Sequence, residues 1–299
     1  MLKFGLIGSD IARSQSPWLF ARAYPGLSYE LLEGTEFKPL WRRFLEDFDG
    51  VNVTAPFKED AFAQVAALCA DGRGVLSGPA LRTGAVNIAA KTSEGLIHGD
   101  NSDFAAVILT ICETCFPGIT KEFHDTFGKD FVKKIHQFFK ARAAEAVFKR
   151  KPKALVAGCG GAGRAAAVAA AELGCSVAIA NRTMERAASF VLDLPKEYDM
   201  AVCPTSLLKP AVKDADIIIY AASGALAELS SLEKEDFSGR VKIILEASYA
   251  KPSFSGDLLG KALEAGATYI PGEEWLRAQA LAGFPVLTGR EPETSHLIP

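Results

Sequence analysis

The sequence lacks any apolar run that approaches the roughly 20 residues a helix needs to cross a bilayer. Its start, MLKFGLIGSD, becomes polar too early for a secretory signal. An excess of charge of one sign is also missing, because 33 Lys and Arg stand against 36 Asp and Glu, a formal net charge of -3. Without a basic field there is no general attraction to nucleic acid or to an anionic membrane. We therefore expect a cytoplasmic protein with neither nucleic acid nor membrane as a partner.

Cysteine and histidine are scarce, at six and four residues of 299. Cys112 and Cys115 form one Cys-x-x-Cys pair, but no second pair and no His at metal-ligand spacing accompanies them. The cysteines stand mostly in apolar runs of a chain without an export signal. These absences argue against a zinc module and a disulfide scaffold, and we expect buried, reduced thiols and no bound metal.

Apolar residues are plentiful: 49% of the chain is hydrophobic and 23% is charged, enough for a full core. At roughly 100 to 200 residues per domain, the length predicts two domains. Short apolar runs alternate with helix-forming stretches, which indicates an α/β architecture with parallel sheets covered by helices. The runs predicted as strands are KFGLIG, SYELLEG, GVNVTAP, KALVAG, CSVAIAN, ADIIIYAA and VKIILEA.

The alternation stops after the run DNSDFAAVILTICETC and restarts at Lys151. In between, apolar side chains recur at helical spacing, and from Lys121 to Lys153 eight Lys and two Arg stand against four acids. One interpretation is a basic helix for a polyanion or a partner protein. The favoured one is an amphipathic helix packed on its own domain with a solvated basic face. The apolar stripe consists of Phe123, Phe127, Phe131, Ile135 and Phe138.

The most specific local motif is KALVAGCGGAGRAAAVAAAELG, in which an apolar strand runs through four glycines directly into an alanine-rich helix. The free N–H groups at a helix N-terminus can hold a pyrophosphate only if no side chain blocks its approach. Glycines provide the tight turn, the bare backbone and the close packing of helix on strand. The predicted cofactor-binding residues of this turn are Gly158, Gly160, Gly161, Ala162 and Gly163.

The next strand, CSVAIAN, ends in Asn181, Arg182 and Thr183. An NAD site has an acidic residue at this strand end for the ribose 2′-hydroxyl, whereas an Arg suits the 2′-phosphate of NADP. Asn181 and Thr183 can add neutral donors, and no Asp or Glu competes there. The predicted cofactor is NADP, and a plain surface arginine is the alternative interpretation of Arg182.

The first half of the chain carries polar residues just after strand ends, where α/β folds place their ligands. Ser14 and Ser16 precede Pro17, which suits a first helical position with Ser16 as its cap, and the serine pair suits a carboxylate. Lys58 follows the strand GVNVT and is a candidate proton donor, because burial readily moves the pKa of a Lys. Asp103 stands at a predicted helix start, where an ordinary first-turn residue is the plain interpretation. Asn87 is predicted on a strand. Other nearby polar residues are Asn52 and Thr54, on the strand GVNVT, and Asn101, at the same predicted helix start as Asp103.

Eight motifs, in this order along nearly the whole chain, resemble the shikimate dehydrogenase family: SQSP, GVNVTAPFK, GAVN, DNSD, GCGGAGRA, NRT, SYAKP and AQALAGF. The resemblance implies NADP-dependent reduction of 3-dehydroshikimate to shikimate, in the biosynthesis of chorismate and aromatic amino acids, by a substrate domain and a Rossmann domain. It implies a catalytic dyad of Lys58 and Asp103. The substrate-binding residues that it implies are Ser14 and Ser16 for the carboxylate, and Asn52, Thr54, Asn87, Tyr249 and Gln279 around the ring hydroxyls.

The chemistry of these residue types agrees with the implied roles. Hydride transfer to a ketone leaves negative charge on oxygen, which the ammonium of Lys58 can stabilise and protonate. Asp103 would orient Lys58 and accept a hydrogen bond from a ring hydroxyl, while the nicotinamide supplies the hydride. Which member of the dyad delivers the proton stays open, because a coupled pair titrates as a unit.

Two stretches depart from the family pattern. Where the family typically has Asp and Val before Tyr249, this chain has Glu246 and Ser248. Where the family has a Gly-Met-Leu run beside the nicotinamide, this chain has Glu274 and Trp275 followed by Leu. A carboxylate beside the nicotinamide would stabilise its oxidised, positively charged form, and the bulk of the two side chains would crowd the site.

The predicted organisation is a substrate domain over 1–112, completed by 271–299, a helical insertion over 113–150 and a Rossmann domain over 151–270. The insertion differs from the short link usual in the family. Two alternatives to a shikimate dehydrogenase stay open: a relative that oxidises quinate or prefers NAD, and a non-catalytic cofactor-binding homologue. We expect a monomer or homodimer with a small-molecule substrate.

Overall fold

The computed structural model describes residues 2–298, which divide into two compact α/β units. The first unit contains Met1–Ala106 and Leu276–Pro299, and the second contains Val107–Trp275. The chain passes from one unit to the other within the helices Ser102–Cys115 and Gly272–Thr288. The α/β class predicted from the sequence is confirmed.

The first unit is built on a six-stranded sheet. Its strands are β1 (Lys3–Gly8), β2 (Ser28–Glu33), β3 (Gly50–Val53), β4 (Gly74–Leu76), β5 (Ile88–Lys91) and β6 (Ile97–Asp100). Its helices are α1 (Ser16–Ala23), α2 (Phe37–Asp47), α3 (Lys58–Ala70), α4 (Gly78–Thr83) and the start of α5 (Ser102–Cys115). The strands lie in the order β2-β1-β3-β5-β6-β4.

The sheet of the first unit is mixed, which corrects the expectation of parallel strands. β5 pairs antiparallel with both β3 and β6. Residues 92–96 are the whole link between β5 and β6, and Gly95 turns with a φ of +80°. A parallel pair would need a crossover of a dozen or more residues, so this short link dictates a hairpin.

One face of α2 anchors the core of the first unit. Phe37, Trp41 and Phe44 recur at four- and three-residue spacing and are all buried, as a helix face turned to a core requires. They cluster with Val51 of β3 and with Phe57, directly before α3. This packing holds the end of β3 and the start of α3, which carry predicted site residues.

The second unit contains a six-stranded parallel sheet. Its strands are β7 (Lys153–Ala157), β8 (Ser176–Ala180), β9 (Met200–Cys203), β10 (Ile217–Tyr220), β11 (Ile243–Glu246) and β12 (Thr268–Ile270). Its helices are α6 (Ile119–Phe127), α7 (Phe131–Ala143), α8 (Gly161–Glu172), α9 (Met184–Leu192), α10 (Leu208–Asp214), α11 (Gly256–Glu264) and the start of α12 (Gly272–Thr288), and its short helical turns are Gly128–Asp130, Ala144–Phe148, Thr205–Leu207, Ala227–Ser231 and Lys234–Phe237. The strand order is β12-β11-β10-β7-β8-β9, the doubly wound order of a Rossmann fold, which reverses direction between β7 and β10.

Residues 116–150 form two helices, which corrects the single striped helix expected from the sequence. α6 ends at Phe127 because Gly128, with a φ of +51°, takes the chain out of helical geometry. The helix α7 restarts at Phe131. The apolar stripe is therefore divided between two packed helices, and Phe127 at the break is 40% exposed.

The two helices pack on each other and on α8 of the same unit. The rings of Phe123 in α6 and Phe138 in α7 lie 5.6 Å apart, edge to face, and Phe139 is fully buried. The ring of His136 is 2.9 Å from the carbonyl oxygen of Glu172, at the end of α8. Apart from Phe127, the apolar stripe thus packs within the second unit, as the favoured interpretation expects.

The six cysteines are free thiols. Three of them are buried as expected, Cys112, Cys159 and Cys175, and three are half-buried, Cys69, Cys115 and Cys203. Burial raises the pKa of the Cys115 and Cys175 thiols to about 12, so they stay protonated at neutral pH. Across residues 2–298, no group of three His, Cys, Asp or Glu side chains is placed to hold a metal ion. In that same part of the chain, every helix is too short or too polar to cross a bilayer.

A buried lysine caps the end of α10. Lys242 precedes β11, is 2% exposed, and donates through Nζ to the carbonyls of Val212 at 2.6 Å and Lys213 at 3.0 Å. A third hydrogen bond reaches the carbonyl of Ala215. Burial lowers the pKa of Lys242 to about 8. The ammonium therefore satisfies carbonyls that the helix end leaves without intrahelical partners.

Replacing Lys242 by Met is expected to lower the free energy of unfolding by about 1–3 kcal/mol at neutral pH, because three carbonyls lose their donor. The pKa of Lys242 is lower in the folded chain than the ordinary lysine pKa of 10.5, so the unfolded chain binds more protons between about pH 8 and pH 10.5. Folding therefore gains stability with rising pH across that window. The advantage of wild type over Lys242→Met should therefore grow with pH. Urea denaturation of both proteins, at neutral pH and between pH 9 and 10, measures this difference in the free energy of unfolding. Lys213→Met, an exposed control, should change little, and an equal loss in both variants would contradict the prediction.

Candidate active site

Lys58 and Asp103 form a buried ion pair in the first unit. Lys58 begins α3, after the turn that follows β3, and Asp103 lies in the first turn of α5. The distance from Nζ to Oδ2 is 2.5 Å, and the side chains are 11% and 2% exposed. The positive end of α5 favours the carboxylate, which in turn holds the ammonium. The fold thus brings together two candidate residues that lie 45 positions apart in the chain.

Asn87 holds the start of α5. It precedes β5 by one residue, which corrects its expected place on the strand, and its side chain is fully buried. Its Oδ1 accepts from the Ser102 backbone N–H at 2.8 Å, and its Nδ2 donates to the Ser102 hydroxyl at 3.1 Å. The neighbouring Val86 N–H donates to the Lys58 carbonyl. The segment Val86–Asn87 therefore holds the starts of both α3 and α5, Val86 through Lys58 and Asn87 through Ser102. A direct bond from Asn87 to a substrate stays a prediction.

Asn52 lies on β3 and is 8% exposed. Its Oδ1 accepts from the Tyr29 hydroxyl at 2.8 Å, and its Nδ2 donates to the Asn87 carbonyl at 3.4 Å. Thr54 follows β3, is half-buried, and pairs its backbone N–H with the Ile7 carbonyl. Sequence reasoning missed Tyr29 and Ser102, because a hydroxyl in a strand or at a helix start gives no local sign of the partner that the fold supplies.

Ser14 and Ser16 lie together at the start of α1. The Ser14 hydroxyl donates to the Ser16 hydroxyl at 3.2 Å and accepts from the Ser16 backbone N–H at the same distance. The helix begins at Ser16 itself, with Gln15 before it and Pro17 second, which corrects the expectation that Ser16 caps the helix. The reason is that Ser14 already accepts a hydrogen bond from a first-turn N–H. Two half-buried hydroxyls thus remain side by side at a helix N-terminus.

The helix α12 packs closely against the start of α5 in the first unit. A Cβ placed on Gly283 would lie 2.7 Å from the Ser102 hydroxyl oxygen, so the glycine allows this close approach without displacing the Ser102 side chain. Gln279 precedes Gly283 by four residues and therefore shares its helix face. Gln279 is half-buried there.

The glycine turn of the second unit links β7 to α8. Gly158 has a φ of +101°, and a Cβ there would lie 2.8 Å from the Ala222 backbone beyond β10. A Cβ on Gly163 would lie 2.2 Å from the Gly158 carbonyl oxygen. Gly160, directly before α8, has no heavy atom within 4 Å of its Cβ position. The turn is therefore closed on the protein side and open at the helix N-terminus, between β7 and β10 where the strand order reverses.

Asn181 joins this turn to the one after β8. Its Oδ1 accepts from the Cys159 N–H at 3.1 Å, and its Nδ2 donates to the Thr183 carbonyl at 2.8 Å. The amide thus bonds to the protein backbone at both ends, and since its nitrogen carries two N–H groups, the predicted contact with a phosphate stays a prediction. Arg182 and Thr183 are exposed.

Tyr249 lies in the second unit, three residues after the end of β11, and is half-buried. A Cβ on Gly272 would lie 2.4 Å from its backbone nitrogen. Glu274 and Trp275 belong to the first turn of α12, where Glu274 is half-buried and Trp275 is 3% exposed. Their expected place beside a nicotinamide stays a prediction.

Two family models match the chain, the shikimate dehydrogenase substrate binding domain over residues 6–89 and shikimate / quinate 5-dehydrogenase over residues 142–242. A shikimate dehydrogenase (NADP(+)) from Natronomonas pharaonis is 31% identical over 296 residues, which cover 96% of this chain and 93% of the relative. The chain belongs to the shikimate dehydrogenase family. Another member, a shikimate dehydrogenase (NADP(+)) from Acinetobacter baumannii, is 30% identical and covers 97% of both chains. The resemblance inferred from the eight motifs is confirmed.

Solved structures within the family share this fold. The shikimate 5-dehydrogenase of Thermus thermophilus, in complex with NADP(H) and shikimate, matches with a TM-score of 0.69 at 27% identity, over 99% of this chain and 97% of that chain. Quinate dehydrogenase from Corynebacterium glutamicum, in complex with NAD, matches with a TM-score of 0.71 at 19% identity, over 99% and 96% of the two chains. At that identity the second likeness shows the fold alone. The same fold therefore occurs in a shikimate dehydrogenase and in a quinate dehydrogenase, so the fold does not determine the substrate, which depends on the residues of the site.

Proposed function

We propose that this chain interconverts 3-dehydroshikimate and shikimate with NADP(H). The observation that carries the proposal is the Lys58–Asp103 pair, at 2.5 Å and almost wholly buried, because it offers a held proton donor beside a carboxylate. The relatives named shikimate dehydrogenase (NADP(+)) support the choice of substrate and cofactor.

The second unit has residues that fit the dinucleotide. The open space at Gly160, before the N-terminus of α8, suits a pyrophosphate. The exposed side chains of Arg182 and Thr183, after β8, suit the 2′-phosphate of NADP. Asn181 keeps the two turns together. When bound, NADPH supplies the hydride.

Lys58 holds and transfers the proton in this proposal. Reduction of a ketone leaves negative charge on its oxygen, which the Lys58 ammonium stabilises before passing a proton from Nζ to that oxygen. Asp103 keeps the ammonium in position and accepts a hydrogen bond from a ring hydroxyl. Lys58 then regains a proton from solvent, and in the oxidation direction it accepts the hydroxyl proton instead.

Hydroxyl and amide side chains orient the substrate in the proposed reaction. The paired hydroxyls of Ser14 and Ser16, at the N-terminus of α1, suit its carboxylate. Amide and hydroxyl groups suit the ring hydroxyls, since each can both donate and accept. The residues proposed for them are Asn52, Thr54, Asn87, Gln279 and Tyr249.

A four-way rate comparison tests the function. Initial rates are measured with shikimate or quinate, each with NADP+ or NAD+, and we expect the highest kcat/KM for shikimate with NADP+. A higher kcat/KM with quinate would favour the quinate-oxidising alternative. NADPH binding without turnover of either substrate would favour a non-catalytic homologue, the alternative that Glu274 and Trp275 motivate.

Replacing Arg182 by Ala is expected to lower kcat/KM for NADP+ by about 10- to 100-fold and to leave that for NAD+ within about threefold, because a hydrogen bond to a charged group contributes roughly 1.5–3 kcal/mol. Steady-state kinetics with both dinucleotides measure the two effects. Arg240→Ala is the matched control, since Arg240 pairs with Asp214 and has no proposed role in binding. Equal losses for NADP+ and NAD+ would argue against Arg182 as the 2′-phosphate ligand.

A further inference from the structure

A buried carboxylate organises the loop that carries Tyr249. Glu246 is the last residue of β11 and is 1% exposed. Its Oε1 accepts from the Ser248 N–H at 3.3 Å, and its Oε2 accepts from the N–H groups of Ser253 at 2.8 Å and Phe254 at 3.2 Å. One side chain therefore binds the backbone of residues 247–254 near both ends, with Tyr249 between the bonded positions.

The same loop is restricted from a second side. A Cβ on Gly272 would lie 2.4 Å from the Tyr249 nitrogen and 2.5 Å from the Ser248 carbonyl carbon, so the start of α12 touches the loop backbone directly. Glycine is the residue that permits this contact. The backbone at Tyr249 is thus held between the Glu246 carboxylate and the start of α12.

The neighbouring strand end is organised in the same way. Tyr220 ends β10 and pairs in register with Glu246. Its hydroxyl accepts from the Leu226 N–H at 2.8 Å and donates to the Gly224 carbonyl at 3.0 Å. Both side chains thus order loops at the carboxyl edge of the parallel sheet, where α/β folds bind their ligands.

Burying a carboxylate costs free energy, and burial raises the pKa of Glu246. Within residues 2–298, no Lys or Arg forms an ion pair with Glu246, so backbone N–H groups are what compensate its burial. An apolar side chain could end this strand without that cost. The cost therefore points to a requirement for one fixed loop conformation.

We propose that Glu246 is a positioning residue, which fixes residues 247–254 so that Tyr249 meets the substrate. The role of Tyr249 toward the substrate rests on the proposed function. Glu246 does not touch the reacting atoms, so its whole effect on substrate binding passes through the loop that it holds.

Replacing Glu246 by Gln tests the loop itself, because Gln keeps the length and offers one acceptor oxygen instead of two. Hydrogen exchange is followed by mass spectrometry on peptides from the full chain. We expect exchange in residues 247–254 to accelerate about tenfold or more, with strands β7 and β8 unchanged. Unchanged exchange in this loop would overturn the proposal.

Kinetics test the route through Tyr249. Glu246→Gln is expected to raise the KM for shikimate about tenfold, as the loss of a charge-assisted hydrogen bond allows, and to change the KM for NADP+ less than threefold. Tyr249→Phe is expected to raise the KM for shikimate and to leave the KM for NADP+ unchanged. In the Tyr249→Phe background, Glu246→Gln should add less than about twofold, because two residues that act as one unit are not additive. Independent, multiplying effects would overturn the proposal.

Two further variants separate positioning from simple stability. Glu246→Asp keeps the charge and both acceptors, and should hold the shikimate KM within about threefold of wild type. Asp216→Asn is the matched control, since Asp216 is a buried carboxylate at the other end of β10 that accepts from Arg150 at 2.6 Å and from the Lys153 N–H at 2.8 Å. Asp216→Asn should lower thermal stability and leave the shikimate KM unchanged. A raised KM in Asp216→Asn would assign the effect to general loosening and overturn the proposal.

The proposed function and the positioning role of Glu246 are tested by different measurements. Absence of shikimate turnover by the wild-type chain would contradict the proposed function. The exchange rates of residues 247–254 would still show whether Glu246 holds the loop, since that measurement needs neither substrate nor cofactor.

Discussion

Replacing Lys58 by Ala is expected to lower kcat for shikimate oxidation by about 10²–10⁴-fold, the usual contribution of a positioned acid–base group. The Nζ of Lys58 lies 2.5 Å from the buried Asp103 carboxylate, and no other side chain is proposed to transfer the proton. Steady-state rates give kcat. The NADPH dissociation constant, from nicotinamide fluorescence, should stay within about threefold, because the proposed dinucleotide residues lie in the other unit.

The control for Lys58 is another lysine of the same unit. Lys3 pairs with Glu30 at 3.0 Å and is 31% exposed, and Lys3→Ala should leave kcat unchanged. Asp103→Asn should also lower kcat, and it leaves the Lys58 charge without its partner, which costs about 3–5 kcal/mol for a buried pair. Circular dichroism shows whether each variant is folded. Turnover near the wild-type rate in folded Lys58→Ala would remove Lys58 from the mechanism.

Replacing Gly163 by Ala is expected to abolish tight binding of both NADP(H) and NAD(H) and to destabilise the chain by about 1–3 kcal/mol, the usual cost of overpacking. The added methyl would lie 2.2 Å from the Gly158 carbonyl oxygen, which is backbone and cannot move without opening the turn. Thermal unfolding and NADPH titration measure the two effects. Because the damage lies in the turn, it should be equal for the two dinucleotides.

Gly160 is the matched control within the same turn. An alanine there meets no heavy atom within 4 Å, and its φ of -84° suits any residue, so Gly160→Ala should leave the unfolding temperature unchanged. The methyl would enter the space proposed for the pyrophosphate, and NADPH affinity should still fall. Unchanged affinity in Gly160→Ala would contradict the proposed place of the phosphates.

The dinucleotide half of the site could be predicted well because its determinants are local. The strand β7, the glycine turn and α8 follow one another without interruption, and glycine at a strand-to-helix junction has few structural uses. The sequence identified Asn181 as a candidate, but it did not predict that Asn181 connects this turn to the turn after β8. Asn181 bonds to Cys159, 22 positions away, through an arrangement of strands that no local pattern displays.

The substrate half depends on contacts between distant parts of the chain. The sequence marked Lys58 and Asp103 as candidates, yet the distance between them follows from the paths of β3, β5 and β6. Tyr29 and Ser102 were missed because a lone hydroxyl has no signature until a partner is beside it. Glu246 stood out in the sequence only as a departure from a family pattern, and its three backbone partners became visible with the fold.

Local sequence was sufficient for the α/β class, for seven of the strands, and for the glycine turn, because hydrophobic periodicity and turn chemistry depend on near neighbours. The tertiary structure decided the antiparallel place of β5, the break of residues 116–150 at Gly128, and the close approach of Lys58 to Asp103. Each of these depends on which distant segments the folded chain packs together, and the pairing of strands and burial of charges are properties of that packing rather than of any one segment.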